Sequence, residues 1–167
     1  ITFNKKINKN KLINFINPKH KKVKRNYIKR MVNNKIQCMK IAKKYSFNYW
    51  DGDRKYGYGG FKYLPGYNST LAKNIIKSYN LTNNSKVLDI GCGKGFLIYE
   101  LKKIIKRNRI FGCDISKYAI KNAKKEIKNK IFYHESKNKF KFKDNYFDLV
   151  ISINTLHNLD IPNAFKA

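Results

Sequence analysis

The run from Val87 to Phe96, VLDIGCGKGF, constrains this chain more than any other stretch. A β-branched apolar segment carries Asp89 at its end, glycines stand at 91, 93 and 95, and an apolar helix-forming run follows at once. A sharp passage from strand to helix needs positive φ or tight backbone packing, and a ligand lying on such a turn needs the missing Cβ. The commoner dinucleotide fingerprint would place glycine or alanine at position 96. Here Phe96 stands there and the third glycine falls at 95, so the spacing points away from a nicotinamide cofactor.

The sequence around this turn alternates regularly. KVLDIG reads as a buried strand, GFLIYELKKIIK as a helix, RIFGCD as a strand, SKYAIKNAKKEIK as a helix, and KIFYHE and YFDLVISIN as two further strands. Strands too apolar to face water on either side, alternating with helices, predict an α/β fold: a Rossmann-like, doubly wound parallel sheet with helices on both faces. Right-handed crossovers bring the C-terminal ends of all the strands, and with them the ligand crevice, to one edge. The sequence stops after the fourth strand, so a sheet truncated there, and a fragment of a longer product, are expected.

Upstream the pattern changes twice. Residues 1–48 form a basic N-terminal extension: no acidic residue occurs before Asp51, and the part up to about Lys24 has no sustained period. From about Arg25 to Lys44 the apolar residues Tyr27, Ile28, Met31, Val32, Ile36, Met39 and Ala42 recur at three- and four-residue steps, predicting a helix that packs one face on the downstream domain. Residues 49–84 then hold YWDGDRKYGYGGFKYLPGY, a loop or hairpin of aromatics and glycines, and a short helix capped by Ser69 or Thr70 and running to about Ser78. The cofactor-binding core is expected over 85–167.

Lys+Arg number 38 against 10 Asp+Glu, a formal charge of +28, which suits a polyanionic partner. Lysine greatly exceeds arginine while Asn and Ile are abundant, the joint mark of A+T-rich codon usage, whereas phosphate recognition favours the arginine fork. Cys38, Cys92 and Cys113 lack the spacing of a zinc site or a disulfide framework, so reduced thiols, a cytoplasmic setting and no metal are expected. No stretch approaches the roughly 20 apolar residues of a membrane span, and no membrane association is expected.

On these residues the chain resembles the class I S-adenosylmethionine-dependent methyltransferases. Their first motif, acidic-x-Gly-x-Gly-x-Gly, is met by Asp89, Gly91, Gly93 and Gly95, with Cys92 inside the turn. The resemblance implies that this turn holds the methionine part of S-adenosyl-L-methionine. It also implies that Asp114, ending RIFGCD with Ile115 next to it, binds the ribose hydroxyls. The stretch KDNYFDLVISINTLHNL is similar to a later landmark of the family; where the family usually has Asp-Ala this chain has Ser136 and Lys137, with Glu135 one place earlier, and the resemblance implies an adenine contact at Glu135 or Ser136. The segment YWDGDRKYGYGGFKY resembles one found in a bacterial branch of these enzymes.

Methyl transfer from a sulfonium releases a neutral thioether, so alignment matters more than acid catalysis, and holding near-attack geometry can supply roughly 7–11 kcal/mol. Asn154 and His157 in INTLHNL are the candidates for a base or for orienting cofactor or substrate; a packed, hydrogen-bonded histidine is the competing reading of His157. Tyr56 and Tyr58 are the expected contacts of an aromatic lid, against the alternative that the segment merely clamps the N-terminal helix to the domain. The motifs of nucleic-acid base methyltransferases after the fourth strand, Asp/Asn-Pro-Pro-Tyr/Phe or Pro-Cys, do not occur. ISINTLHNL instead resembles the corresponding stretch of enzymes acting on small molecules, and this resemblance implies a small-molecule acceptor. The alternatives are an RNA methyltransferase or nucleic-acid-binding protein using the basic arm, and a fold that has lost its cofactor.

Overall fold

The structure, a computed structural model, describes Phe15 and residues 34–106, 109–136 and 138–162. The basic arm and the first half of the expected N-terminal helix lie outside the described residues. In chain order the elements are α1 (Lys35–Ala42), α2 (Phe47–Trp50), α3 (Ser69–Ser78), β1 (Val87–Ile90), α4 (Phe96–Ile104), β2 (Ile110–Asp114), α5 (Lys117–Lys121), a 3-10 helix (Lys125–Lys130), β3 (Ile131–Tyr133), β4 (Leu149–Ser152) and a second 3-10 turn (Leu156–Asn158). All four strands are parallel in the order β3-β2-β1-β4, with Val87 opposite both Ile110 and Leu149. After β3 the chain returns to the far side of β1. That reversal creates the crevice where open α/β sheets bind their ligands.

Strand alternation divides the core in two. Val87, Ile110, Ile131 and Ile151 pack with Ala72 and Ile75 of α3, Leu97, Ile98 and Leu101 of α4, and Ile127 of the first 3-10 helix. On the opposite face Leu88, Ile90 and Cys113 pack against Phe111, Phe132, Phe140 and Phe147. Gly112 sits mid-strand because α4 comes close: a Cβ there would strike Ile98 and lie 2.7 Å from Cys92 Sγ. Ile98 is fully buried, and truncating such a side chain to Ala costs about 2–5 kcal/mol.

Three local expectations need correction. Over Lys35–Ala42 the predicted helix forms but buries none of its residues, and Ile36 and Met39 are 72% and 49% exposed. Its spacing of apolar residues is too weak to define a stripe facing the core. The helix expected over SKYAIKNAKKEIK ends at Lys121 and resumes as a 3-10 helix at Lys125, because the Asn122 side chain donates to the Tyr118 carbonyl and Lys124 turns extended. Ser69 is the first residue of α3 and makes no cap. Its hydroxyl donates instead to Glu100 Oε2 at 2.9 Å, satisfying a buried carboxylate on α4.

Candidate active site

The glycine turn adopts the conformation its sequence demands. Gly91, Gly93 and Gly95 have φ of 76°, 59° and 71°, a region that side chains disfavour. Each also faces a different neighbour. A Cβ on Gly91 would strike Thr155, whose hydroxyl donates to the Ile90 carbonyl at 3.1 Å and so ties the segment after β4 to the end of β1. A Cβ on Gly93 would lie 2.8 Å from the Trp50 ring, and one on Gly95 would strike Ile127 and Ile131.

A cleft of about 230 Å³ opens at the C-terminal ends of all four strands, somewhat below the roughly 300–1,000 Å³ usual for small-molecule sites. Ile90 and Gly91 contribute from β1, Asp114 and Ile115 from β2, Glu135 and Ser136 after β3, and Asn154 and Thr155 after β4. The wall over these is aromatic: Tyr45, Tyr49, Trp50 and Tyr58. Neither Lys nor Arg is among the lining residues, although the chain carries 38 of them.

Asp114 is 6% exposed, and its two carboxylate oxygens accept from the backbone N–H groups of Gly93 and Ser116, each at 2.7 Å. Burial pushes its carboxyl above the ordinary range, against the pull of those amide donors. The residue therefore supports the glycine turn as well as facing the cleft. Asp89 is buried too, and its carboxyl is pushed up to about 8, by burial first and by Asp114 second. Cys92 and Cys113 are likewise raised by burial, Cys113 to about 12, so neither is a thiolate nucleophile near neutrality.

Of the residues singled out in the sequence, Gly91, Asp114, Ile115, Glu135, Ser136, Asn154 and Tyr58 line this cleft. Asp89, Cys92, Gly93 and Gly95 sit behind it and shape the turn. Tyr56 is placed elsewhere, with Lys55 Nζ over its ring at 4.9 Å. His157 is exposed and stands outside the lining, while its neighbours Asn158 and Leu159 belong to it. Tyr56 and His157 thus lie outside the cleft lining, and Tyr58 and Asn154 within it. Sequence reasoning missed Tyr45, Tyr49, Trp50, His134 and Thr155. The first three had a signal, aromatic density beside glycines; His134 and Thr155 had none.

The aromatic wall is firmly held. Trp50 Nε1 donates to Ser116 Oγ at 2.8 Å and to the Tyr45 carbonyl at 3.1 Å, and its ring stacks on Tyr58 with centroids 5.2 Å apart. Phe61 stacks on Phe96, and Tyr63 donates to the buried Glu100. The segment is therefore a wall fastened to the domain at Ser116, Phe96 and Glu100.

Residues 88–167 match the profile of a family described as a methyltransferase domain. Over 80 residues, 47% of this chain, it is 35% identical to the mitochondrial arginine-hydroxylase NDUFAF5 of Mus musculus. Over 104 residues, 58% of the chain, it is 29% identical to a malonyl-[acyl-carrier protein] O-methyltransferase of Bacillus cereus. The chain spans 23% and 38% of those two relatives. A solved structure of an S-adenosyl-L-methionine-dependent methyltransferase from Methanococcus maripaludis aligns at a TM-score of 0.47 with 27% identity, covering 59% of this chain and 47% of that one. Over residues 88–167 the chain is thus similar to the methyltransferase domain family.

Proposed function

We propose that this chain is the cofactor-binding part of a methyltransferase that passes the methyl group of S-adenosyl-L-methionine to a small-molecule acceptor. The observation that carries the reading is the cleft: acidic floor, aromatic wall, no cation in its lining. The donor chemistry of the site fits the cofactor. A buried carboxylate at the end of β2 suits ribose hydroxyls, the positive-φ Gly91 lets a ligand lie on the backbone, and aromatic faces beside carboxylates favour a cationic sulfonium.

When bound, S-adenosyl-L-methionine supplies an electrophilic methyl group whose departure leaves a neutral thioether. The residues of this chain bind and align. Asp114 is the ribose acceptor; Glu135 and Ser136, at the end of β3, are placed for the adenine. Ile115 contributes an apolar wall, and Asn154, held in the left-handed region at φ 56°, stands at the mouth. Tyr49 and Tyr58 exclude water. Tyr49 titrates far above neutrality, raised chiefly by burial, and so remains a neutral hydrogen-bonding group rather than a base.

A phosphate-bearing polymer would need cations at the mouth of the cleft, which favours the small acceptor over RNA. The reduced thiols of Cys92 and Cys113 support a reducing compartment such as the cytoplasm. Among the described residues no helix is long and apolar enough to cross a membrane. The relative named as a hydroxylase warns that the same domain can serve another reaction, so the assay must read methyl transfer and not cofactor binding alone. Calorimetry with S-adenosylhomocysteine on the full chain tests the first step; no heat at millimolar ligand would remove the proposal.

The net charge of +28 motivates a second reading, an RNA-directed enzyme. In that case affinity for random RNA should fall by several orders of magnitude between about 50 and 200 mM salt if six or more phosphates are contacted.

A further inference from the structure

Lys94 stands inside the glycine turn and is the one lysine among the described residues that is buried, at 6% exposure. A buried ammonium must be compensated, and all three of its N–H donors can be. Lys94 Nζ lies 2.7 Å from both Asp51 Oδ1 and Asp51 Oδ2 and 2.8 Å from the Phe61 carbonyl. Asp51 also accepts from the Tyr118 hydroxyl at 2.7 Å and from the Phe61 N–H at 3.0 Å. The Trp50 carbonyl accepts from the N–H groups of Gly60 and Phe61 at 3.0 and 2.9 Å. One ion pair therefore grips both ends of the segment 51–61 and fixes Trp50, the residue next to Asp51, against Gly93.

We propose that Asp51 and Lys94 are positioning residues that lock the aromatic wall onto the cofactor turn, so that the shape of the cleft depends on their pairing. Neither lines the cleft; they act through Trp50 and through Tyr58 stacked on it. Burial of Asp51 works against its charge, but the hydrogen bonds from Lys94, Tyr118 and the Phe61 amide outweigh it and hold the carboxyl below the ordinary range. The Asp51 carboxyl is therefore ionised at neutral pH. The inference rests on the cofactor reading above and reaches residues that reading does not use.

Trp50 is the only tryptophan in the chain, so its emission reports the wall directly. The experiment compares the full chain with Asp51→Asn, Lys94→Met, the double variant and Tyr118→Phe. Tryptophan emission without ligand, S-adenosylhomocysteine affinity and melting temperature are measured for each. The expected result is red-shifted emission and affinity weakened on the order of tenfold, the worth of about one charge-assisted hydrogen bond, in each single variant. The double variant should be no worse than either, since one pair is being broken.

Tyr118→Phe removes one hydrogen bond without stranding a charge. It should fold and show the same changes at about two- to threefold, so the idea stays testable if the charge variants do not fold. Unaltered emission and affinity in folded variants, with only a lowered melting temperature, would reduce the pair to a structural clamp and overturn the proposal. If the parent chain itself fails to bind S-adenosylhomocysteine, the cofactor reading falls, while the emission shift still reports whether the pair sets the wall.

Discussion

The carboxylate of Asp114 accepts a hydrogen bond from the Gly93 N–H at 2.7 Å, so the end of β2 holds the conformation of the turn after β1. The residue proposed to meet the ribose is also a strut of the cofactor loop. Substitution by Ala should therefore do two things. Loss of ribose bonding should weaken S-adenosylhomocysteine binding roughly ten- to hundredfold, and stranding the Gly93 and Ser116 amides should cost about 1–3 kcal/mol of stability. Calorimetry and denaturant unfolding separate the two effects. Unchanged affinity in a folded variant would refute the ribose role, and unchanged stability would refute the strut.

Gly93 meets the wall directly. Gly93→Ala must place its Cβ 2.8 Å from the Trp50 ring at a φ of 59°, which costs about 1–2 kcal/mol for the backbone alone. Trp50 should be displaced, so the variant should melt lower with altered tryptophan emission. Emission identical to the parent would show that the ring does not rest on this turn.

Asp89 makes a pH-dependent prediction. Its folded carboxyl is pushed up to about 8, while an unfolded aspartate titrates near ~3.9. Between those values the folded state holds the extra proton, so the contribution of Asp89 to stability is greatest below about pH 4 and declines as pH rises toward 8. Asp89→Asn should remove this dependence. Relative to the parent it should gain at least about 1 kcal/mol at pH 8 and little at pH 4. Urea unfolding at the two pH values measures it; an equal difference at both would show that Asp89 does not titrate in this range.

Tyr56 and Tyr58 are two residues apart yet differ in place, and only Tyr58 faces the cleft. Tyr58→Ala removes a ring stacked on Trp50, at about 0.5–1.5 kcal/mol beyond the area lost, and should weaken S-adenosylhomocysteine binding. Tyr56→Phe should change stability by no more than about 0.5 kcal/mol and leave affinity alone. Reversed results in a binding titration would exchange their assignments.

Much of this protein is written in local sequence. The parallel arrangement comes from apolar β-branched runs alternating with helices. The place of the site comes from three glycines that turn a strand into a helix and from an acid ending the next strand. These are properties of backbone conformation and of period, which neighbouring residues specify among themselves. They were enough to bring Gly91, Asp114, Ile115, Glu135, Ser136, Asn154 and Tyr58 to one cleft.

What tertiary structure alone decided is which side chains meet across long separations. Lys94 looks in the sequence like one more surface lysine; burial against Asp51, 43 residues away, makes it a structural charge. His157 looks like a base beside the site, yet the 3-10 turn at Leu156–Asn158 leaves it exposed outside the cleft lining. Tyr45, Tyr49 and Trp50 reach the cleft because Ser116, 66 residues beyond Trp50, receives its indole N–H. The local pattern determined strands, turn and crevice, because φ/ψ preference and hydrophobic period act over a few residues. The partners of a charge or a ring were set only by packing, because Coulomb and dispersion forces act through space and depend on distances that no short window of sequence contains.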